Sequence, residues 1–312
     1  MAGVGPPDPS RTLPGGPDDC VGPFRGPTGA EVEMASGNSG RCGVELVDCH
    51  SHTYLSGHGE GTVEELVASA EGKGISTLAV TEHMSLPASV DPDCGFSMPE
   101  DEVPGYFEAI RRADAAHPGI EVLPGYECDW RPDCEDYITD RIGDAVVLLG
   151  SVHMLADGFC FDNASCLDGW KERGVDAVWG EYFELWLDAC GSRVPFTTMS
   201  HPDLPKKFGY RPSPSFRLKS RYQDAAGLAE EKDRMVEVNT SGWRKDVGEQ
   251  YPSVEFLHEF CRAGVDCTVG ADAHSPDDVG SRIEDAYGVM YEAGYRKVTV
   301  PTRDGDRRYI EL

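Results

Sequence analysis

Five times along this chain a short apolar run with strand character ends on residues that carry a histidine. Residues 45–49 lead to His50 and His52, 75–80 to His83, 145–149 to His153, 195–199 to His201, and 267–269 to His274. Helical patterns separate these runs. The stretch beginning at Thr62 has a Thr62/Glu65 capping box and an apolar stripe at Val63, Leu66, Val67 and Ala70, and glycines at 72 and 74 end it. Further helices are expected at 106–116, 178–190, 222–232, 253–263 and 279–293, with strands at 120–123, 235–238 and 297–300. Roughly seven strand-and-helix alternations predict a parallel sheet closed into a barrel. In such barrels the loops after the strands gather at one face. His50, His52, His58, His83, Glu127, His153, His201, Asp272 and His274 all occupy such positions, so they are expected to converge in space.

The chemistry of that set starts at Val47 to Gly59, which holds three of the nine histidines. Strand side chains alternate between faces, so His50 and His52 project to the same side, and His58 follows in a loop bracketed by Gly57 and Gly59. Neutral imidazole is the commonest metal ligand. For this triplet alone, a pair of polar histidines at a strand end is the competing reading. Nine nitrogen and oxygen ligands suit about three divalent ions if each ion keeps a position for water or substrate. The absence of thiolates from the set argues against a structural zinc knuckle, and the donors admit Zn, Mn or Fe(II). His117 and His258 fall on predicted helices and are expected to be surface or packing residues.

Composition bounds the rest. Residues 1–41 are rich in Pro, Gly, Asp and Ser and are expected to be a disordered tail, with Met34 as a candidate initiator; residues 42–312 form the catalytic domain. The tail lacks the apolar core of a secretory signal, and no run approaches the length of a membrane span. Eleven cysteines without a CxxC pair fit a reducing cytoplasm. A formal charge of −27 excludes a generic nucleic-acid surface and disfavours anionic membranes. Residues 86–104, with their prolines and acids, read as a long loop over the barrel mouth or a surface excursion. Nothing in the sequence bears on oligomeric state.

The chain resembles the polymerase and histidinol phosphatase (PHP) superfamily, and within it the monofunctional histidinol-phosphatase branch, over about residues 44–300. The likeness is carried by His50/His52 with His58, Thr81-Glu82-His83, Gly125-Tyr126-Glu127, Gly150-Ser151-Val152-His153, His201-Pro202-Asp203 and Asp272-Ala273-His274. The branch is indicated by Val238 to Lys245 with Tyr251-Pro252-Ser253. The resemblance implies a distorted (β/α)7 barrel carrying three divalent metal ions. It puts His50, His52, Glu127 and Asp272 on one ion, has Glu127 bridge to a second with His153 and His201, and assigns His58, His83 and His274 to the third. Glu127, Asp272 and His201 thereby belong to the catalytic centre. The implied reaction is hydrolysis of L-histidinol phosphate to L-histidinol and phosphate in histidine biosynthesis, by a metal-bridging hydroxide attacking phosphorus. A PHP-type phosphoesterase for another small phosphate ester or nucleotide is the alternative. Ions in excess of two carboxylates would make the mouth positive against an acidic exterior. Arg244 and Lys207 are candidate phosphate contacts, the competing readings being a turn arginine and a solvated lysine. Asp203 is either a hydrogen-bond partner of a ligating histidine or a cap of the next segment.

Overall fold

Parallel pairing runs on past the points where the apolar runs end, and this carries the polar residues into the barrel wall itself. The computed structural model describes residues 43–312. The expected tail over 1–41 and the reading of Met34 lie outside them.

The order is β1 (Leu46–Asp48), α1 (Val63–Gly72), β2 (Ile75–His83), α2 (Val103–Ala116), β3 (Glu121–Asp129), α3 (Glu135–Thr139), β4 (Val147–Ser151), α4 (Leu167–Arg173), α5 (Val175–Gly191) and β5 (Thr198–Met199). It continues with α6 (Leu218–Glu231), β6 (Met235–Asn239), α7 (Val254–Ala263), β7 (Cys267–Gly270), α8 (Ile283–Ala293), β8 (Lys297–Pro301) and β9 (Arg307–Glu311). Strands β1 to β7 pair in sequence order, all parallel. The ends meet where Cys49 N–H donates to Val269 O at 2.9 Å and His52 N–H to Ala273 O at 2.8 Å, with a parallel bridge between Ser51 and Ala273. The result is the expected distorted seven-stranded barrel. The run at 297–300 does form a strand, but it pairs antiparallel with β9 outside the barrel.

Two local expectations change. Glu127 is expected in the loop after a strand at 120–123; instead β3 runs to Asp129, in register with β2 as far as His83 opposite Glu127. Gly125 serves close approach rather than turning, because a Cβ there would lie 2.5 Å from Val147 O of β4. Likewise β2 runs on to His83 rather than ending at Val80. The Thr62/Glu65 capping box forms as expected.

The outer layer buries the apolar faces of the helices. Tyr222 of α6 stacks on Phe256 of α7 at 4.0 Å between centroids, and Phe256 on Phe260 at 4.3 Å, with Phe183 and Trp186 of α5 against them. Each fully buried large side chain contributes about 1.5–3 kcal/mol. The 86–104 segment is pinned at the mouth: Met98 N–H donates to His83 O at 3.1 Å, and buried Asp91 accepts from the Gly95 and Phe96 amides and the Ser97 hydroxyl. No helix of the described residues is long and apolar enough to cross a membrane.

Candidate metal centre

At the C-terminal ends of the strands, the nine predicted ligands lie in one cluster. His50 Nε2 and His52 Nε2 are 3.0 Å apart. Both are 3.3 Å from Glu127 Oε2, and they lie 3.8 and 3.5 Å from Asp272 Oδ1. The other oxygen of the same carboxylate, Glu127 Oε1, is 2.7 Å from His201 Nε2 and 3.4 Å from His153 Nε2, whose nitrogens are 3.2 Å apart. His58 Nε2 faces His274 Nε2 at 3.0 Å. His83 Nδ1 is buried with no hydrogen-bond partner, 3.3 Å from Glu127 Oε2.

This arrangement fits divalent cations for a reason visible in the hydrogen bonds. In the facing pairs the outward nitrogens of all but His201 are already used. His50 Nδ1 is 2.8 Å from Glu237, His52 Nδ1 is 3.4 Å from Glu82, and His153 Nδ1 pairs with Asp129. His58 Nδ1 donates to Ser56 O at 3.0 Å and His274 Nδ1 to Asp272 O at 3.2 Å. A neutral imidazole that donates from Nδ1 presents only a lone pair at Nε2. Lone pairs 3.0–3.2 Å apart, beside carboxylate oxygens, call for a cation between them.

Charge supports the same reading. Burial opposes ionisation of Glu127, but His50, His153 and His83 hold it well below the usual carboxylate range; His50 and His52 do the same for Asp272. Burial and the neighbouring imidazoles push His83 well below its ordinary value and His274 down to about 3, so both are ready as neutral donors. Burial disfavours the charged form of His50, His52 and His153 as well, yet adjacent carboxylates overcome it and raise all three, His52 to about 10. A cation bound among these three imidazoles would displace their protons.

The backbone is specialised at the ligands. His201 and Asp272 have φ of 25° and 50°, the left-handed region that non-glycine residues rarely occupy, and such strain is typically held only where the surroundings enforce it. Buried Asp48 does part of this: it accepts from Ala271 N–H and Gly280 N–H at 2.8 Å each, fixing the loop that carries Asp272. A Cβ at Gly270 would fall 2.1 Å from Glu237 Oε1 and 2.4 Å from His50 Cβ, so glycine there lets Glu237 reach His50.

Three acids around the ligands were not anticipated. Glu82, Asp129 and Glu237 are all buried and each engages a histidine of the cluster. Asp129 also forms a group with His83 and His153 whose ligand atoms lie within 4.8 Å of one another, and His52, His83 and His274 form another such group. The readable signal was an acid at an alternate position of a buried strand, as in Met235-Val236-Glu237-Val238-Asn239. These acids make the mouth less positive than a count of Glu127 and Asp272 alone implies.

Nearby cations make up part of the difference. Arg244 Nη2 donates to Ala271 O at 2.9 Å and Asp272 O at 3.1 Å, which leaves Nη1 buried and without a partner. Lys207 Nζ is 3.1 Å from Asp162. Burial lowers the pKa of Lys245, as do neighbouring Lys207 and Arg244, with Asp272 opposing. Asp203 meets neither expectation: it accepts from Ser253 N–H at 2.9 Å and pairs with fully buried Lys206 at 3.0 Å, because the chain turns it away from the histidines and beneath the 249–253 loop. His117 bridges Glu64 and Glu71 and His258 bonds Ala293 O, both away from the cluster.

Comparison with known proteins gives the following. The PHP domain family matches residues 48–241. A probable histidinol-phosphatase of Deinococcus radiodurans is 34% identical over 259 residues, covering 81% of this chain and 96% of that protein. A probable phosphatase of a Thermoanaerobacter species is 23% identical, covering 83% of this chain and 91% of that protein. Among solved structures, the histidinol phosphate phosphatase of Lactococcus lactis, complexed with zinc, L-histidinol and phosphate, superposes with a TM-score of 0.72. It has 18% identity and covers 86% of this chain and all of that one.

Proposed function

The chain belongs to the PHP family, and on that premise we propose that it is a metal-dependent phosphatase that hydrolyses L-histidinol phosphate to L-histidinol and phosphate. The observation that carries the reading is the inward convergence of imidazole lone pairs and carboxylates about both oxygens of Glu127. The naming of the Deinococcus relative supports the substrate.

Within that reading, His50, His52, Glu127 and Asp272 would hold one ion, Glu127 with His153 and His201 a second, and His58, His83 and His274 a third. When bound, divalent ions of the Zn, Mn or Fe(II) type supply Lewis-acid stabilisation of phosphoryl oxygens and lower the pKa of water. The chain contributes the geometry. Glu127 would serve two sites, with one oxygen facing His50 and His52 and the other facing His153 and His201. Glu82, Asp129 and Glu237 hold the imidazole tautomers that keep lone pairs inward. Arg244, anchored through Nη2 to the carbonyls at 271 and 272, offers Nη1 to a phosphoryl oxygen. Lys207 adds a second cation once phosphate competes with Asp162 for it. We place the reaction in the cytoplasm as part of histidine biosynthesis; the unpaired state of the cysteines among the described residues supports a reducing compartment.

Steady-state kinetics on a panel of phosphate esters, with metal content measured in parallel, tests the proposal. The expected result is a kcat/KM for histidinol phosphate at least tenfold above those for nucleoside monophosphates and glycerol phosphate. A higher value for another ester would assign the chain to the broader phosphoesterase reading, and metal retention with no turnover of any ester would make it a binding protein.

A further inference from the structure

A cavity of about 140 Å3 lies beside the metal centre, between the ends of β2 and β3 and the short helix α3. Asp129 belongs to both: its carboxylate pairs with His153, and it lines the cavity. The far wall is apolar, from Met84, Leu86 and Ile138. Set into it is Ser85, only 4% exposed, whose hydroxyl is buried and has no hydrogen-bond partner among the described residues. A buried hydroxyl left alone costs about 1–3 kcal/mol, so an unsatisfied one lining a cavity marks where a polar ligand atom belongs. At the rim stands the exposed carboxylate of Asp133, at φ 66°.

Size narrows the ligand class. A cavity of roughly 150 Å3 holds one benzene ring. This one therefore admits a single five- or six-membered ring and excludes a purine with its ribose. Apolar walls accept ring faces, a hydroxyl pairs with a ring nitrogen, and a rim carboxylate pairs with an ammonium group.

Resting on the function proposed above, we infer that this cavity is the leaving-group subsite, which receives a single heteroaromatic ring. Ser85 hydrogen-bonds a ring nitrogen, and Asp133 faces the adjacent ammonium. An ester whose phosphoryl group sits at the histidine cluster passes its alcohol portion across Asp129 into the cavity. A purine base outsizes the cavity, and ring-free esters gain nothing from it.

The test compares wild-type, Ser85→Ala and Asp133→Asn enzymes, all metal-loaded. Asn tolerates the left-handed backbone at 133, and Ser85→Ala removes only the hydroxyl. Two quantities are read: the ratio of kcat/KM for histidinol phosphate to that for glycerol phosphate, and the rise in Tm produced by added L-histidinol. Loss of one hydrogen bond to the ring is expected to lower the ratio roughly five- to tenfold in Ser85→Ala, mainly through KM, with a smaller histidinol-induced Tm rise. Asp133→Asn is expected to lower the ratio and the Tm response in the same direction. Variants that keep the wild-type ratio and the wild-type Tm response would overturn the subsite while leaving the function intact. A wild-type enzyme with no preference for histidinol phosphate would instead overturn the function, and the subsite with it.

Discussion

Glu237 supports two ligands at once: Oε1 is 2.8 Å from His50 Nδ1, while Oε2 accepts from the His201 amide at 3.0 Å and from Asn239 Nδ2 at 3.1 Å. It touches neither site directly, yet it sets the tautomer of His50 and the backbone of His201. Glu237→Gln preserves the shape and removes the charge. Metal affinity is expected to fall 10- to 100-fold, the usual effect of losing such a partner, as measured by competitive chelator titration. An unchanged affinity would mean that Glu237 only fills space. His58 poses a sharper question of division. Its Nε2 faces His274 alone, whereas His50 and His52 share Glu127 and Asp272. His58→Ala is therefore expected to lose one ion and keep those held by His50, His52, His153 and His201. Loss of every ion in elemental analysis would refute separate sites. The three imidazoles with raised pKa must release protons when metal binds, so affinity should weaken as pH falls.

Elements place these residues, and at this scale the sequence was informative where one rule sufficed. Residues at the C-terminal end of a strand in a parallel barrel face the mouth, and that rule gathered the nine candidate residues without a single contact being known. It failed where a role depends on a neighbour from a distant strand. Glu237 is buried against His50, 187 positions away, and only the β6–β7–β1 juxtaposition makes that pair. Asp203 was misread for the same reason, since its partners, Lys206 and the Ser253 amide, come together only when the 249–253 loop folds over it. The β8–β9 hairpin was half seen, because 297–300 reads as a strand whichever partner it takes. On the outer face, His117 at the end of α2 clips Glu64 and Glu71 of α1 at 2.9 and 2.8 Å. Hydrogen bonds to Glu64 and then Glu71 raise its pKa, so the folded state holds the proton more tightly than the unfolded chain. The clip's contribution is fully present below about pH 6.5 and is lost as pH rises through the raised folded-state value. The Tm difference between wild type and His117→Gln should accordingly shrink as pH rises; a constant difference would show that charge plays no part.

Across the whole molecule a net charge of −27 surrounds a site proposed to take a phosphate ester. The buried acids of the cluster add to the difficulty, since any bound cations would be offset by Glu82, Asp129 and Glu237 as well as by Glu127 and Asp272. A phosphate ester carries close to two negative charges at neutral pH, so a ring-free ester such as glycerol phosphate meets the full repulsion of the exterior. Histidinol phosphate carries an ammonium group beside its phosphate and approaches with much less net charge. The acidic surface thus discriminates before any contact forms. Such discrimination operates over the Debye length, about 30 Å at 0.01 M salt and about 8 Å at 0.15 M. The kcat/KM ratio of histidinol phosphate over glycerol phosphate is therefore expected to be largest at low ionic strength and to fall severalfold as salt rises over that range, chiefly because glycerol phosphate turnover improves. The Ser85 hydrogen bond and the apolar contacts inside the cavity are short-ranged and depend little on salt, so the preference that persists at 0.15 M and above comes increasingly from the subsite. A ratio flat across the whole range would assign all of the selectivity to Ser85, Asp133 and the cavity, and none to the charge of the fold.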